Sequence, residues 1–200
     1  MSTKQLSADF HAGDRAAPQH SVIRTPRLLL IAVTEQHVRA ELDSLGAFRA
    51  LIRADIPAGW PPGQYDRDAQ EFFLRSLVDG GTAAIGWFGW YALHQTDDGS
   101  RATLVGCGGY LGPPSADGTV EIGYSVCSEW CGRGFATEMA KAFAQHAIQL
   151  PAVRRVIAHT HNNNRASKAT LLRSGFTAVI PSDQPDALLF EWVDARTNRN

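Results

Sequence analysis

The residues best suited to chemistry lie between Thr119 and Ala147, where a strand, a glycine-rich turn and a helix follow without a break. Over 119–127, Val120, Ile122, Tyr124 and Val126 alternate with Glu121, Gly123, Ser125 and Cys127, the period-two pattern of a strand with two unlike faces. From Phe135 onward the pairs Phe135/Ala136, Met139/Ala140, Phe143/Ala144 and Ala147/Ile148 recur every four residues and make one apolar helix stripe. Between them lies Cys131-Gly132-Arg133-Gly134-Phe135-Ala136. Glycine lets a ligand approach the backbone closely, and the first N–H groups of a helix have no partner inside it. No acidic side chain enters the first turn until Glu138, and Arg133 adds a positive charge. This composition suits a phosphate or pyrophosphate; its plain alternative is ordinary turn chemistry. A GxxxxGK(S/T) loop is missing, and no GxGxxG follows a strand in a βαβ unit, which excludes two familiar nucleotide sites.

The turn resembles the acyl-CoA signature of the GNAT acetyltransferase family, Q/R-x-x-G-x-G/A. Gly134 and Ala136 match it, while Cys131 stands where the family has Gln or Arg. A second block, Val156 to Ser167 followed by Leu171-Leu172-Arg173-Ser174-Gly175-Phe176, is similar to the family's strand, its N-x-x-S helix start and its terminal "GF". A third, Ile23-Arg24-Thr25-Pro26-Arg27-Leu28-Leu29-Leu30, resembles the opening of the branch that includes ribosomal-protein N-terminal acetyltransferases. The blocks run in order from about residue 22 to residue 193.

The resemblance implies an α/β fold with one GNAT-like domain over 22–200; residues 1–21, which mix Ala, Asp, Gly, His and Pro without periodicity, read as a flexible tail. Its central sheet is expected to be mixed, mostly antiparallel and splayed, with helices on its flanks. The implied reaction moves an acetyl group from acetyl-CoA, as co-substrate and without a metal, directly to a primary amine. Backbone at Val126 would pair with the extended pantetheine arm, as an added strand does. The segment Cys131, Gly132, Arg133, Gly134, Phe135, Ala136 and Thr137 would cradle the pyrophosphate. Asn164 and Ser167 would lie beside the distal arm and thioester, although Asn and Ser also cap helices. An amine attacks only when neutral, so a base is needed most for a lysine side chain, with its pKa of about 10.4, and less for an α-amine at about 7.7–8.0. Glu121 is the candidate general base; its plain alternative is a solvent-facing strand glutamate. The helix tyrosine that many family members use as an acid falls at Leu171 here, which leaves Ser167 as the partner for the departing thiolate. Tyr110 and Tyr124 are alternative proton donors.

For the acceptor, Trp60 with Pro61 and Pro62 lies in the segment that in this family covers the amine, and Trp90 and Tyr110 join it as candidate substrate-binding residues. Aromatic rings can cage a cationic amine, yet the crowd Trp87, Phe88, Trp90 and Tyr91 also reads as strand core. Asp55 could attract an amino group or simply be an exposed loop residue. A peptide N-terminus and a small-molecule amine remain equal as acceptors. Two readings from other classes compete: a catalytically idle acyl-CoA-binding sensor or scaffold, which needs neither Glu121 nor an acceptor cleft, and a metal hydrolase built on His159-x-His161, which lacks a third ligand cluster.

These groups need a scaffold, and 200 residues at 44% hydrophobic suffice for one domain with a substantial core. A net charge of −1 without a basic run argues against a nucleic-acid surface. Cys107, Cys127 and Cys131 are odd in number and without zinc-ribbon spacing. No apolar stretch approaches the roughly 18 residues of a membrane span, and the start MSTKQLSADFHAGD is not a signal peptide. A cytoplasmic setting is the expectation. Periodicity predicts strands over 22–33, 83–95, 103–111, 119–127 and 153–161, a final pair over 176–181 and 187–193, and helices over 34–50, 66–79, the signature stretch and 164–174. The hydrophobic run Ala187 to Val193 would complete the sheet or support a homodimer.

Overall fold

Proline 26 breaks the first extended run, so what reads as one strand over 22–33 is a hairpin. Pro26 has no N–H for a ladder. Thr25 N donates to Leu28 O at 2.9 Å, and Leu28 N donates back to Thr25 Oγ1 at 2.9 Å. β1 (Val22–Arg24) therefore folds back antiparallel on β2 (Leu28–Ala32). The computed structural model describes residues 21–96, 99, 101–179 and 186–192. The tail expected over 1–21 lies outside these except for Ser21, whose carbonyl accepts from Ala32 N. Residues 97, 98 and 100, between the strands expected over 83–95 and 103–111, and residues 180, 181 and 193 of the expected last pair lie outside them too.

The helix expected over 34–50 is likewise two, α1 (Glu35–Asp43) and α2 (Leu45–Ile52). Ser44 between them is extended, and its hydroxyl accepts from Ala47 N at 3.1 Å, so a short polar side chain ends one helix and caps the next. α3 (Arg67–Gly80) starts on an Asp66 cap. A 3-10 turn over Gly81–Ala84 replaces the beginning of the strand expected from 83, and β3 runs Phe88–Gln95. There follow β4 (Ala102–Leu111), β5 (Thr119–Val126), α4 (Phe135–Ala147), β6 (Arg155–His161), α5 (Arg165–Ser174), β7 (Phe176–Val179) and β8 (Ala187–Trp192).

The strands form one sheet in the order β1-β2-β3-β4-β5-β6-β8-β7. Among the described strands only β5 and β6 run parallel, and their ladder covers just Thr119–Glu121 against Arg155–Ile157. Beyond it both strands continue, β5 to Val126 and β6 to His161, without pairing to each other. The sheet is therefore mixed, mostly antiparallel and splayed, as the α/β expectation requires. One face, with Trp90, Gly108 and Tyr124 in register, lies against α4; the other, with Tyr91, Cys107 and Ser125, faces α1, α3 and the segment joining α2 to α3. No helix among the described residues is long and apolar enough to cross a membrane.

A buried carboxylate ties that second face together. Glu41 of α1 is 8% exposed. Its Oε1 accepts from Trp60 Nε1 at 2.7 Å and Gln70 Nε2 at 2.8 Å; its Oε2 accepts from the hydroxyls of Tyr65 at 2.9 Å and Tyr91 at 2.6 Å. Burial raises the Glu41 pKa, with the four hydrogen bonds opposing. The bonds are sorted by kind: N–H donors meet Oε1, while Oε2 meets hydroxyls that can donate or accept. A proton, or a glutamine amide, therefore fits at Oε2. Because the folded pKa is raised, the stability Glu41 contributes is present below its ordinary value of about 4.3 and is lost as pH rises through the folded value. Glu41→Gln is expected to keep the fold and to gain in melting temperature over wild type as pH rises from 4 to 7. Glu41→Ala, which orphans several buried donors, is expected to cost about 3 kcal/mol or more. Thermal melts across pH check both; a Gln variant that loses ground as pH rises contradicts this account.

Candidate active site

Two left-handed glycines shape the turn before α4. Gly132 has φ +77° and Gly134 φ +83°, a region where a side chain is strained. Gly134 is the N-cap of α4, and no side chain caps the helix. Its opening N–H groups, Phe135 to Thr137, therefore point out of the helix end with the positive end of its dipole. Cys131 is exposed, with Sγ 3.6 Å from the Val126 carbonyl. Arg133 folds back over Trp130, 4.5 Å from its ring centre, and donates to Glu129 O.

Arg27, in the β1–β2 turn, braces this helix start from outside. It stacks 4.6 Å from the Phe135 ring centre, donates Nη1 to Arg133 O at 2.8 Å, and pairs with Glu138 Oε2 at 2.6 Å through Nη2. Glu138 also accepts from Thr25 Oγ1 at 2.6 Å and Arg27 N at 2.9 Å. Burial pushes the Glu138 carboxyl up, but these hydrogen bonds and the Arg27 charge outweigh it and hold it below its ordinary range.

The opening between β5 and β6 leads into this turn. Cys127 N donates to Val105 O, so in the alternation of an antiparallel ladder the backbone groups of Tyr124 and Val126 turn away from β4, toward the parting. At the apex Glu121 Oε1 lies 2.8 Å from His159 Nδ1. Across the gap, the Tyr124 hydroxyl lies 3.1 Å from Ser167 Oγ and burial raises its pKa, the Ser167 contact opposing. Asn164 is the N-cap of α5, accepting from Ser167 N at 3.0 Å. Glu121, Tyr124 and Val126 thus border the parting from β5, Glu121 on the face of Ser125 and Tyr124 on that of α4, while Asn164 and Ser167 open α5 across it.

The candidate acceptor residues are not brought together. Trp60 is 6% exposed and spends its indole N–H on Glu41. Its segment lies over β5: Gly59 N donates to Glu129 Oε1 at 2.9 Å, and a Cβ on Gly63 would collide with Ser125 Oγ. Trp90 and Tyr110 are fully buried on the opposite, α4 face, where Trp90 Nε1 donates to Gly86 O and the Tyr110 hydroxyl to Phe143 O, both at 2.9 Å. Leu171 is buried, and His161 is exposed. Among the described residues no group of three or more His, Cys, Asp or Glu is placed to hold a metal.

A family model described as the acetyltransferase (GNAT) domain matches residues 27–177. The chain belongs to the GNAT family. A curated relative of this GNAT domain, the uncharacterised N-acetyltransferase YjdG of Bacillus subtilis, is 28% identical over 118 residues, which span 58% of this chain and 66% of the relative. Among solved structures, RimL, a ribosomal alpha-N-protein acetyltransferase in complex with coenzyme A, superposes with TM-score 0.60 at 18% identity, covering 86% of this chain and 97% of that one. The microcin self-immunity acetyltransferase MccE, in complex with acetyl-CoA and AMP, gives TM-score 0.57 at 16% identity over 85% and 94%. At such identities the structures speak for the fold alone.

Sequence reasoning missed the contacts that Arg27 and His159 make around this opening and the buried cluster around Glu41. Glu41 left one sign, a charge on the apolar side of α1 beside buried Val38; the other two depend on contacts between distant segments. Glu138, with its lowered folded pKa, contributes stability that is present above its ordinary value and lost as pH falls through the folded value. Glu138→Gln is expected to cost about 1–2 kcal/mol at neutral pH, discounted for the solvent exposure of Arg27, with the deficit shrinking toward pH 3. Chemical denaturation at several pH values checks this; a deficit that grows in acid contradicts it.

Proposed function

We propose that this GNAT domain transfers an acetyl group from acetyl-CoA to a primary amine, either a peptide N-terminus or a small molecule. The observation that carries the reading is the unpaired edge of β5, which runs from Glu121 past Tyr124 and Val126 into an uncapped helix start. An extended arm can take the place of the missing strand there, and the N–H groups of Phe135 to Thr137 can meet its pyrophosphate. The ligands named for RimL and MccE, coenzyme A and acetyl-CoA, support that donor.

In this reading Glu121, with a third of its side chain exposed at the apex, takes a proton from the acceptor amine. The neutral amine attacks the thioester carbonyl, and the departing sulfur takes a proton from Ser167, whose hydroxyl the Tyr124 hydroxyl contacts. Trp60, fixed by Glu41, would form part of the wall on the acceptor side. A cytoplasmic setting suits three cysteines without a disulfide.

The test is calorimetric titration with acetyl-CoA, followed by a free-thiol assay against a panel of amines and N-terminal peptides. Saturable binding with thiol release on one acceptor class supports the reading. Binding without release from any acceptor favours an idle acyl-CoA-binding module, and no binding removes the donor site. Gly134→Glu places a negative charge at the helix start, where an added Cβ would stand 3.4 Å from Arg27 Nη2. It is expected to weaken acetyl-CoA binding by about a hundredfold or more in a protein that still folds by circular dichroism. Glu121→Gln is expected to leave that affinity nearly unchanged and to lower kcat by about 100-fold, most clearly near neutral pH. Wild-type turnover across the pH range would move the base elsewhere.

A further inference from the structure

Beside Glu121 stands a side chain to which the proposed reaction assigns no task. The β5–β6 ladder ends at Glu121 and Ile157. Two residues further along β6, strand alternation returns His159 to the face of Ile157. Its Nδ1 there lies 2.8 Å from Glu121 Oε1, bridging the strands where their backbones stop pairing. The His159 ring is the more buried partner, 15% exposed against 33% for Glu121. Glu121 Oε2, by contrast, carries no hydrogen bond among the described residues, and a third of the Glu121 side chain is exposed. A carboxylate has no proton to give, so the proton of this bond sits on Nδ1.

We propose that His159 is a positioning residue for acetyl transfer: its Nδ1–H holds Glu121 Oε1 at the apex of the parting strands and so keeps Oε2 directed at the acceptor amine. The inference rests on Glu121 as the base. Oε2 takes one proton from the acceptor ammonium, breaking N–H and forming O–H. The released lone pair attacks the thioester carbonyl, forming C–N as C–S breaks. The second nitrogen proton goes to the departing sulfur, by way of the Ser167 hydroxyl, giving amide and free thiol, and Glu121 returns its proton to water. A glutamate turns about three side-chain torsions, and a carboxylate spread over its rotamers meets the amine in line less often. His159 touches no reacting atom; it removes that spread.

Isosteric replacements separate this role from others. Asn at 159 carries an amide N–H near the place of Nδ1, whereas Gln reaches the place of Nε2. With the best amine of the panel, kcat is expected to fall by about tenfold or more in His159→Ala and His159→Gln. Acetyl-CoA affinity and acceptor KM are expected to stay within about twofold. His159→Asn is expected to regain most of kcat, and His159→Ala is expected to cost nothing further in a Glu121→Gln background. An unchanged kcat in His159→Ala overturns the proposal. So does an Asn variant as slow as the Ala variant, or a full penalty that persists without the Glu121 carboxylate.

Imidazole nitrogen NMR reads the tether without turnover. His159 should show a protonated Nδ1 in wild type and lose that signature in Glu121→Leu, which has no acceptor; identical spectra in the two proteins overturn it. A wild-type protein that binds acetyl-CoA but acetylates no amine would sink the transfer reading and the catalytic role with it, while the spectra would still decide the tether.

Discussion

Everything distinctive in this molecule depends on a parallel ladder that stops early. β5 and β6 pair over Thr119–Glu121 and Arg155–Ile157 and then part. A parallel pair could have run on for several residues, because both strands continue. Instead the backbone of Tyr124 and Val126 is left without a strand neighbour on one side, a cost that an extended ligand can offset by pairing there. The same parting brings the two strand ends to different helices: β5 leads into the glycine turn and α4, and β6 into the Asn164 cap and α5. Side chains from both rims then meet across the gap, Glu121 with His159 at the apex and Tyr124 with Ser167 further along.

Two carboxylates in opposite environments hold the groove's surroundings in place. Glu138 sits in the first turns of α4 and is stabilised as an anion by Arg27 and Thr25, which lock the β1–β2 turn against the helix that carries the proposed pyrophosphate cradle. Glu41 is buried among neutral donors, and burial favours its protonated form. It binds α1, α3, β3 and the Trp60 segment to one another, and that segment reaches β5 through Gly63 and Glu129, just after β5, through Gly59. One clamp fixes the helix start and the other fixes the opposite face.

Local patterns carried much of this into the sequence. The alternation over 119–127 and the four-residue stripe from Phe135 give β5 and α4 almost to the residue, because each element buries one face and leaves the other polar. The glycine turn was legible because its left-handed positions demand glycine. Short-range competition was harder to see: Pro26 and Ser44 each split an expected element, by a missing ladder donor and by a side-chain cap. Long-range pairing was invisible. His159 meets Glu121 only because of the parallel register, and Trp90 and Trp60 end on opposite faces although both read as aromatic residues near an amine.

Amide hydrogen exchange with and without acetyl-CoA tests the central claim, that the parted strands and the helix start form one donor groove. The account predicts slowed exchange at Tyr124 and Val126 and at Phe135 to Thr137, with little change around Glu41. Protection confined to the face of Trp60 and Tyr65, or no protection along β5 at saturating acetyl-CoA, would contradict it.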